Sequence, residues 1–131
     1  MATPRSMIRQ SALKAGYRSG LEQDNAAHLK RHRCKYEYEK QKIPYIPKPK
    51  TYTPDFVLDN GVIIETKGRF TASDRAKHLL IKKQHPDLDI RFVFTNSRQK
   101  ISKRSPTTYA QWCEKHGFQY AESLIPKEWM K

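Results

Sequence analysis

The stretch Thr53-Pro54-Asp55-Phe56, followed by Asn60-Gly61 and then by Ile64-Glu65-Thr66-Lys67-Gly68, decides the fold of this protein. Apolar residues lie on both sides of a short Asn-Gly segment, which is typical of two β-strands joined by a tight turn. Asp55, Glu65 and Lys67 are nevertheless charged. A charge among apolar neighbours is costly unless another group pairs with it. The sequence therefore predicts a β-hairpin that carries a functional group of charges.

The position of the turn determines whether these charges meet. A two-residue Asn60-Gly61 turn would place Asp55 and Glu65 on opposite faces of the hairpin, because strand faces alternate with a period of two residues. A three-residue loop, with Gly61 at positive φ, would place Asp55 directly opposite Glu65. We predict the three-residue loop, since only that register brings the carboxylates together. One face of the hairpin would then carry Asp55, Val57, Ile63, Glu65 and Lys67.

Two carboxylates and a lysine that converge in this way can hold a metal ion and activate a water molecule. Carboxylate oxygens are hard ligands, which favours magnesium or manganese over zinc. A lysine beside them can offset the charge of a phosphodiester or orient the attacking water. The alternative interpretation of Asp55, Glu65 and Lys67 is a surface salt bridge, which contributes only ~0–1 kcal/mol and has no function. The apolar neighbours favour the metal site.

The sequence before the hairpin predicts a flexible basic arm over residues 1–16 and a folded domain over residues 17–131. Ser19 and Glu22 have the spacing of a capping box, so we expect a helix to begin there. From the residues alone, Glu22 is better explained as a helix cap than as a site residue, although the two roles do not exclude each other. The alternation in residues 36–39 predicts a strand.

Residues 43–50 contain three prolines, which exclude a helix and favour an extended, stiff path. The segment is either a simple connector or a bridge between two halves of the chain. As a bridge it would let one half pack on a second copy, because exchange through an extended segment is a route to dimers.

The sequence after the hairpin predicts an α/β fold with a mixed β-sheet flanked by helices. Thr71 and Asp74 form a second capping box, which begins a helix that stops before Pro86. Residues 90–94 predict a strand, which a right-handed crossover would make parallel to the strand of Glu65. The inner stripe of the helix is predicted to be Ala72, Ala76, Leu79, Leu80 and Lys83, with His78 mostly elsewhere.

The C-terminal part of the chain predicts one more helix and an edge strand. Ser105-Pro106 has the pattern of a helix start, with serine as the cap and proline at the first helical position. Gly117 is typical of a helix end, and residues 118–121 predict a short strand at the edge of the sheet.

The charge of the chain points to a polyanionic partner. Lys and Arg number 26 against 13 Asp and Glu, a net charge of +13 over 131 residues. Nucleic acid is the partner that such an excess favours, although a charge selected for solubility or a basic particle protein would look similar. The cations expected to contact DNA phosphates follow the hairpin or cluster near residue 100: Arg69, Arg75, Lys77, Lys82, Lys83, Arg98, Lys100, Lys103 and Arg104.

Several other functions are disfavoured by the sequence. Cys34 and Cys113 lie far apart and predict reduced thiols in a cytoplasmic protein. His28 and His32 lie one helical turn apart with Cys34 close by, but no fourth ligand pattern supports zinc. No apolar run approaches the ~20 residues that span a bilayer. We therefore expect no membrane partner and no small-molecule substrate.

The chain resembles the bacteriophage endonuclease I family, whose members resolve four-way (Holliday) DNA junctions, within the restriction-endonuclease-like nuclease superfamily. The resemblance runs from about Gly16 to Trp129. It rests on separate motifs that agree in order and spacing: residues 17–22, 51–56, 65–68, 77–81, 84–86 and 105–107.

The resemblance implies a magnesium- or manganese-dependent DNA endonuclease with two ions per active site. Asp55, Glu65 and the Thr66 carbonyl would bind the metal, Glu22 would complete the site, and Lys67 would assist the attacking water. It also implies an intertwined homodimer in which Glu22 comes from one subunit and the other site residues from its partner. Residues 43–50 would then bridge the swapped halves, and branched DNA in the infected bacterial cytoplasm would be the substrate.

Three rival functions stay open at this point. The first is a sequence-specific restriction-type endonuclease on the same fold, although no recognition segment stands out. The second is a branched-DNA-binding protein without catalysis. The third is a basic structural protein without a site.

Overall fold

A computed structural model of the protein describes residues 12–45 and 50–131. Its main feature is a five-stranded mixed β-sheet with strand order β1-β4-β5-β6-β7, and a separate two-stranded sheet contains β2 and β3. The elements in chain order are α1 (Gly20–Arg31), β1 (Tyr36–Tyr38), β2 (Ile43–Tyr45), β3 (Lys50–Tyr52), β4 (Phe56–Leu58), β5 (Ile63–Lys67), α2 (Ala72–Gln84), β6 (Ile90–Phe94), α3 (Tyr109–His116), β7 (Gln119–Glu122) and a terminal 3-10 helix (Lys127–Met130). The predicted α/β class with a mixed sheet and flanking helices is confirmed.

Strands β4 and β5 form the hairpin at the centre of the fold, and its predicted register is confirmed. Phe56 lies opposite Ile64 and Val57 opposite Ile63, which continues to Asp55 opposite Glu65. The Leu58 amide donates to the Val62 carbonyl at 2.8 Å and closes a three-residue loop over residues 59–61.

The loop residues have the chemistry that this turn requires. Gly61 has a φ of 89°, a backbone conformation that residues other than glycine rarely adopt. The Asn60 side chain accepts a hydrogen bond from the Val62 amide at 3.0 Å. Its amide group also donates to the carbonyl of Trp129 at 2.8 Å, which ties the loop to the C-terminal segment.

The other strands extend the sheet on both sides of this hairpin. β1 pairs with β4 in the antiparallel direction, and β6 pairs with β5 in the parallel direction. Helix α2 connects β5 to β6, as a parallel connection requires. β7 adds a parallel edge strand beside β6, so both predicted strands beyond the hairpin are confirmed.

Apolar residues pack on both faces of the sheet, because consecutive strand residues point to opposite sides. One cluster joins Ile63 and Phe92 to Ile81 of α2 and Trp112 of α3. The other cluster lies on the opposite face and contains Leu29, Phe56, Ile64, Val93 and Trp129. Helix α1 therefore packs on one face, and α2 and α3 pack on the other.

The inner face of α2 differs from the predicted stripe. Its buried residues are His78 and Ile81, whereas Leu79 is 36% exposed. The sequence pattern placed the apolar Leu79 inside and the polar His78 elsewhere, and this assignment is wrong. The reason is that His78 packs as an aromatic ring, between the rings of Tyr52 and Phe92.

Two helix starts agree with the sequence and one does not. Ser19 accepts from the Glu22 amide, and the Thr71 and Asp74 capping box is complete. The predicted start of α3 at Ser105-Pro106 is wrong, since the helix begins at Tyr109 with Thr108 as its cap. Thr108 and Gln111 form a second complete capping box, a spacing that the more familiar Ser-Pro pattern had obscured. The predicted end at Gly117 is confirmed by its left-handed backbone.

The proline-rich segment is only partly within the described residues. Ile43–Tyr45 and Lys50–Tyr52 are both extended, and they pair with each other as an antiparallel hairpin. Residues 46–49 and residues 1–11 of the basic arm lie outside the described residues. The role of residues 43–50 as a bridge between swapped halves stays a prediction.

Replacing Gly61 by alanine should lower the free energy of unfolding, because a side chain at this positive φ strains the loop that sets the register. We expect a loss of about 1–2 kcal/mol in urea unfolding. Gly68→Ala is the matched control, since Gly68 lacks a positive φ and its added Cβ would meet nothing closer than 3.9 Å. Equal stability of Gly61→Ala and the parent protein would show that the loop does not depend on glycine.

Candidate active site

The hairpin brings Asp55 and Glu65 together at the edge of the buried core. Asp55 directly precedes β4, and Glu65 lies in the middle of β5 with 3% of its surface exposed. Asp55 is held in place by Thr66, whose backbone amide and hydroxyl donate to its Oδ2 at 2.8 and 3.0 Å. One carboxylate oxygen of Asp55 is thereby anchored, and the other has no hydrogen bond to Thr66.

Glu65 has the most perturbed carboxyl group of the site. Its pKa is raised well above the ordinary value, first by burial and then by the negative charge of Asp55. Lys67 and the Tyr52 hydroxyl act in the opposite direction and favour the ionised form. A bound cation would favour ionisation more strongly, because an opposite charge at close range stabilises the carboxylate. The pair therefore has the electrostatic character of a cation site.

Glu22 reaches the same place from α1. It is 6% exposed, and its carboxylate accepts hydrogen bonds from the hydroxyl groups of Ser19 at 3.2 Å and Tyr38 at 3.0 Å. Its pKa is raised to about 7, first by burial and next by the charge of Asp55. Glu22 thus belongs to the cap of α1 and also lies beside Asp55.

Glu39 is a site residue that the sequence did not indicate. The carboxylate oxygens of Glu22, Glu39 and Asp55 all lie within 4.8 Å of one another. Glu39 follows β1 with a φ of 48°, and its amide donates to the Asp55 carbonyl at 3.2 Å. The alternating pattern of residues 36–39 predicted an ordinary strand end, so no local signal pointed to this position.

One chain is sufficient to place Glu22 beside Asp55. The family resemblance implied that these residues come from different subunits. The two arrangements are geometrically equivalent, because a subunit that exchanges its N-terminal half forms the same contacts with its partner. The single chain therefore defines the composition of the site, and the shared arrangement stays a prediction.

Lys67 lies at the end of β5 and forms an ion pair with Asp74. Its Nζ is 3.4 Å from Asp74 Oδ1, with both side chains about a quarter exposed or less. Burial alone would raise the pKa of Asp74, but Lys67 and hydrogen bonds from Thr71 outweigh it and lower the pKa. Sequence analysis found Asp74 only as a helix cap, yet it also restrains the lysine of the site.

The predicted DNA-binding cations do not form one group. Arg69, Arg75, Lys100 and Lys103 line a cleft of about 650 Å³ between the start of α2 and the loop near residue 100. Arg75 joins the two walls, since it donates to the carbonyl of Phe70 at 2.6 Å and to that of Ile101 at 3.3 Å.

The remaining cations of that list lie elsewhere. Lys77 lies over the ring of Tyr52, and Lys82 contacts Gly117 and Phe118. Lys83, Arg98 and Arg104 are exposed and do not line the cleft. Their contact with DNA stays a prediction for each residue.

His28 and His32, considered above as zinc ligands, lie edge-on to each other with ring centroids 4.7 Å apart. Within residues 12–45 and 50–131, Glu22, Glu39 and Asp55 are the sole group of three or more potential ligands that is close enough to hold a metal. The Nε2 of His28 instead lies 2.7 Å from the Ile125 carbonyl. In the same described ranges, none of the helices has the length and apolar character needed to cross a membrane.

The sequence of this chain is similar to those of known phage endonucleases. The family model described as phage endonuclease I matches residues 1–131. Endonuclease I of Escherichia phage T7 is 53% identical over 117 residues, which cover 88% of this chain and 78% of the relative. Endodeoxyribonuclease 1 of Enterobacteria phage T3 is 53% identical over 112 residues, which cover 84% of this chain and 74% of the relative.

The contribution of Glu22 to the stability of the metal-free protein should fall as the pH rises from 4.5 to 7. In this range native Glu22, with its pKa of about 7, binds more protons than unfolded Glu22, with its pKa of 4.5. The contribution of a group decreases with pH wherever its native state binds the extra proton, and buried His78, with its lowered pKa, acts in the opposite direction. Urea unfolding in EDTA at pH 5 and pH 7.5 separates the two effects, because Glu22→Gln should raise the stability at pH 7.5 relative to that at pH 5. A pH dependence that is unchanged by Glu22→Gln would contradict the assignment.

Proposed function

The chain belongs to the phage endonuclease I family, and on that premise we propose that it is a structure-selective DNA endonuclease. Its substrates are four-way (Holliday) and other branched junctions, which it resolves by magnesium-dependent hydrolysis of phosphodiester bonds. The observation that carries the proposal is the opposition of Asp55 and buried Glu65, with Glu22 beside Asp55. We further propose that the sheet and its helices form a restriction-endonuclease-like core.

The donor set fits magnesium or manganese. Asp55, Glu65, the Thr66 carbonyl and Glu22 would hold two ions, and Glu39 adds a further oxygen donor. All of these are hard oxygen ligands, which these cations prefer. The ions would supply Lewis acidity at the phosphate and lower the pKa of bound water.

The protein's own residues would align the reacting groups. Thr66 fixes the carboxylate of Asp55 through two hydrogen bonds. Asp74 restrains the ammonium group of Lys67, which lies at the end of the strand that carries Glu65. A positioned ammonium group can orient the attacking water and offset the charge that develops on the phosphate.

The cationic cleft supports DNA as the substrate. Arg69 and Lys100 are two of its exposed cations, and it begins two residues after Lys67 in the chain. Contacts of this kind bind phosphates without reading bases, so they suit recognition of DNA shape. The affinity for junctions should decrease steeply with salt, because bound counterions are released from the DNA.

We also propose that the active form is a homodimer with exchanged halves. Symmetric cuts across a junction require two active sites, and a two-fold dimer supplies them. Opening the pairing of β2 with β3 would extend residues 43–50 into the bridge, and Glu22 would then meet Asp55 of the partner. The reaction would take place on branched DNA in the cytoplasm of the infected bacterial cell.

Cleavage of a labelled four-way junction tests the function directly. We expect magnesium-dependent cuts near the branch point, with a linear duplex of the same arms left intact. Glu65→Gln should bind the junction with unchanged affinity in EDTA and lose at least about 100-fold in cutting rate, because it removes a metal ligand.

The other outcomes of this experiment support the rivals. Equal cutting of junction and duplex would indicate a general or restriction-type endonuclease. Tight junction binding by the parent protein without cutting would indicate a DNA-binding protein, and equal binding of junction and duplex without cutting would indicate a basic structural protein.

Mixing two inactive variants tests the shared site. Glu22→Ala and Glu65→Ala subunits that are refolded together should recover roughly a quarter of the active sites, because half of the dimers are mixed and each has one intact site. The nicking rate of the mixture measures this recovery, and each variant refolded alone is the control. No recovery, with mixed dimers shown to be present, would place each site within one chain.

A further inference from the structure

A tyrosine hydroxyl is buried behind the candidate site. Tyr52 is the last residue of β3 and is 0% exposed. Its hydroxyl oxygen has no regular hydrogen-bond partner within the described ranges of the chain. A buried polar group without a partner is destabilising by about 1–3 kcal/mol, so its retention calls for a physical reason.

Two carboxylates of the site act on this hydroxyl. Tyr52 packs in the same cluster as Ile63, and Ile63 shares its sheet face with Glu65 two residues later. Burial raises the pKa of Tyr52, and the charge of Glu65, an interaction with its carboxylate and the charge of Asp55 raise it further. Tyr52 is therefore a protonated donor without a regular hydrogen-bond partner among the residues that the structure describes. The geometry places it near Glu65, because its ring contacts His78, His78 contacts Phe92, and Phe92 is the register partner of Glu65.

The aromatic ring of Tyr52 is held by helix α2. His78 meets it edge-on with ring centroids 5.3 Å apart, and the Lys77 ammonium lies 5.2 Å from its centroid. His78 is itself fully buried, and its pKa is lowered to about 3, first by burial and then by Lys67 and Lys77. It is a neutral packing group over the whole physiological range, so the orientation of Tyr52 does not depend on its protonation.

We propose that Tyr52 is a positioning residue, whose hydroxyl donates to the Glu65 carboxylate and orients it toward the bound metal ion. The proposal rests on the proposed function, since it assumes that Glu65 is a metal ligand. Carboxylate ligands are commonly held by hydrogen bonds from a second layer of residues, and loss of such a partner reduces metal affinity by about 10–100-fold. The lack of a regular hydrogen bond to this hydroxyl from the described part of the chain agrees with this role, because hydrogen bonds of a site often form fully only when its ligands are bound.

Tyr52→Phe removes the hydroxyl and preserves the packing of the ring. We expect Mn²⁺ affinity, measured by calorimetry or paramagnetic resonance, to fall by about 10–100-fold. Junction cleavage should fall at low magnesium and recover toward the parent rate at high magnesium. Junction binding in EDTA should be unchanged, because Tyr52 lies in the core and not in the cationic cleft.

Tyr120→Phe is the matched control variant. The Tyr120 hydroxyl also donates to a glutamate, Glu114, at 2.8 Å, but at the surface and away from the site. Its removal should leave Mn²⁺ affinity and the magnesium dependence of cutting at the parent values. A loss of Mn²⁺ affinity in Tyr52→Phe but not in Tyr120→Phe would show that the contact to Glu65 matters, and not the loss of any tyrosine hydroxyl beside a glutamate.

The increase in the Tm of each variant on addition of Mn²⁺ provides a second measurement. A general loss of stability in a variant does not alter this increase. It is measured for each variant relative to its own metal-free Tm, so a general loss of stability does not imitate weaker binding. Tyr52→Phe with an unchanged Mn²⁺ affinity and an unchanged rise in Tm would overturn the proposal. Failure of the parent protein itself to bind Mn²⁺ and to cut junctions would instead overturn the proposed function.

Discussion

The opposition of two carboxylates across β4 and β5 is the constraint on which the rest of the structure depends. Glu65 is buried within a sheet that is covered by apolar clusters on both faces, where an ionised group is unfavourable without partners. Lys67 on the same strand and Tyr52 behind it favour the ionised form of Glu65, and Thr66 donates two hydrogen bonds to Asp55 opposite it. The apolar packing makes the hairpin rigid, and the polar partners keep its charges available for a cation.

Both helix starts near the hairpin serve the site as well as the helix. Glu22 and Asp74 each occupy the third position of a helix, where a negative charge is favourable beside the free backbone amides. Glu22 lies beside Asp55, and Asp74 pairs with Lys67. Each acid is thus held by local backbone geometry, and the site gains fixed charges from two elements that also pack on opposite sheet faces.

The paired strands β2 and β3 lie between the two parts of the chain that form the site. They separate Glu22 and Glu39 from the hairpin that carries Asp55 and Glu65. Exchange at this segment would move α1 and β1 together, so the pairing of β1 with β4 would form again between the two subunits. A closed chain and an exchanged dimer would therefore share the same local contacts and differ mainly in chain entropy and in the path of residues 43–50.

The sequence by itself determined the features that neighbouring residues control. The central hairpin follows from the apolar residues around Asn60-Gly61, and its register was predicted from the requirement that Asp55 meet Glu65. The caps of α1 and α2 follow from Ser19 and Thr71, and the motifs identified the family. Tertiary structure alone decided which distant groups meet: Glu39 beside Asp55, Asp74 beside Lys67, and Tyr52 with His78 behind Glu65. It also decided the burial of His78 and the start of α3 at Tyr109. The physical reason is that turn and cap chemistry acts over a few residues, whereas burial and charge pairing depend on segments that only folding brings together.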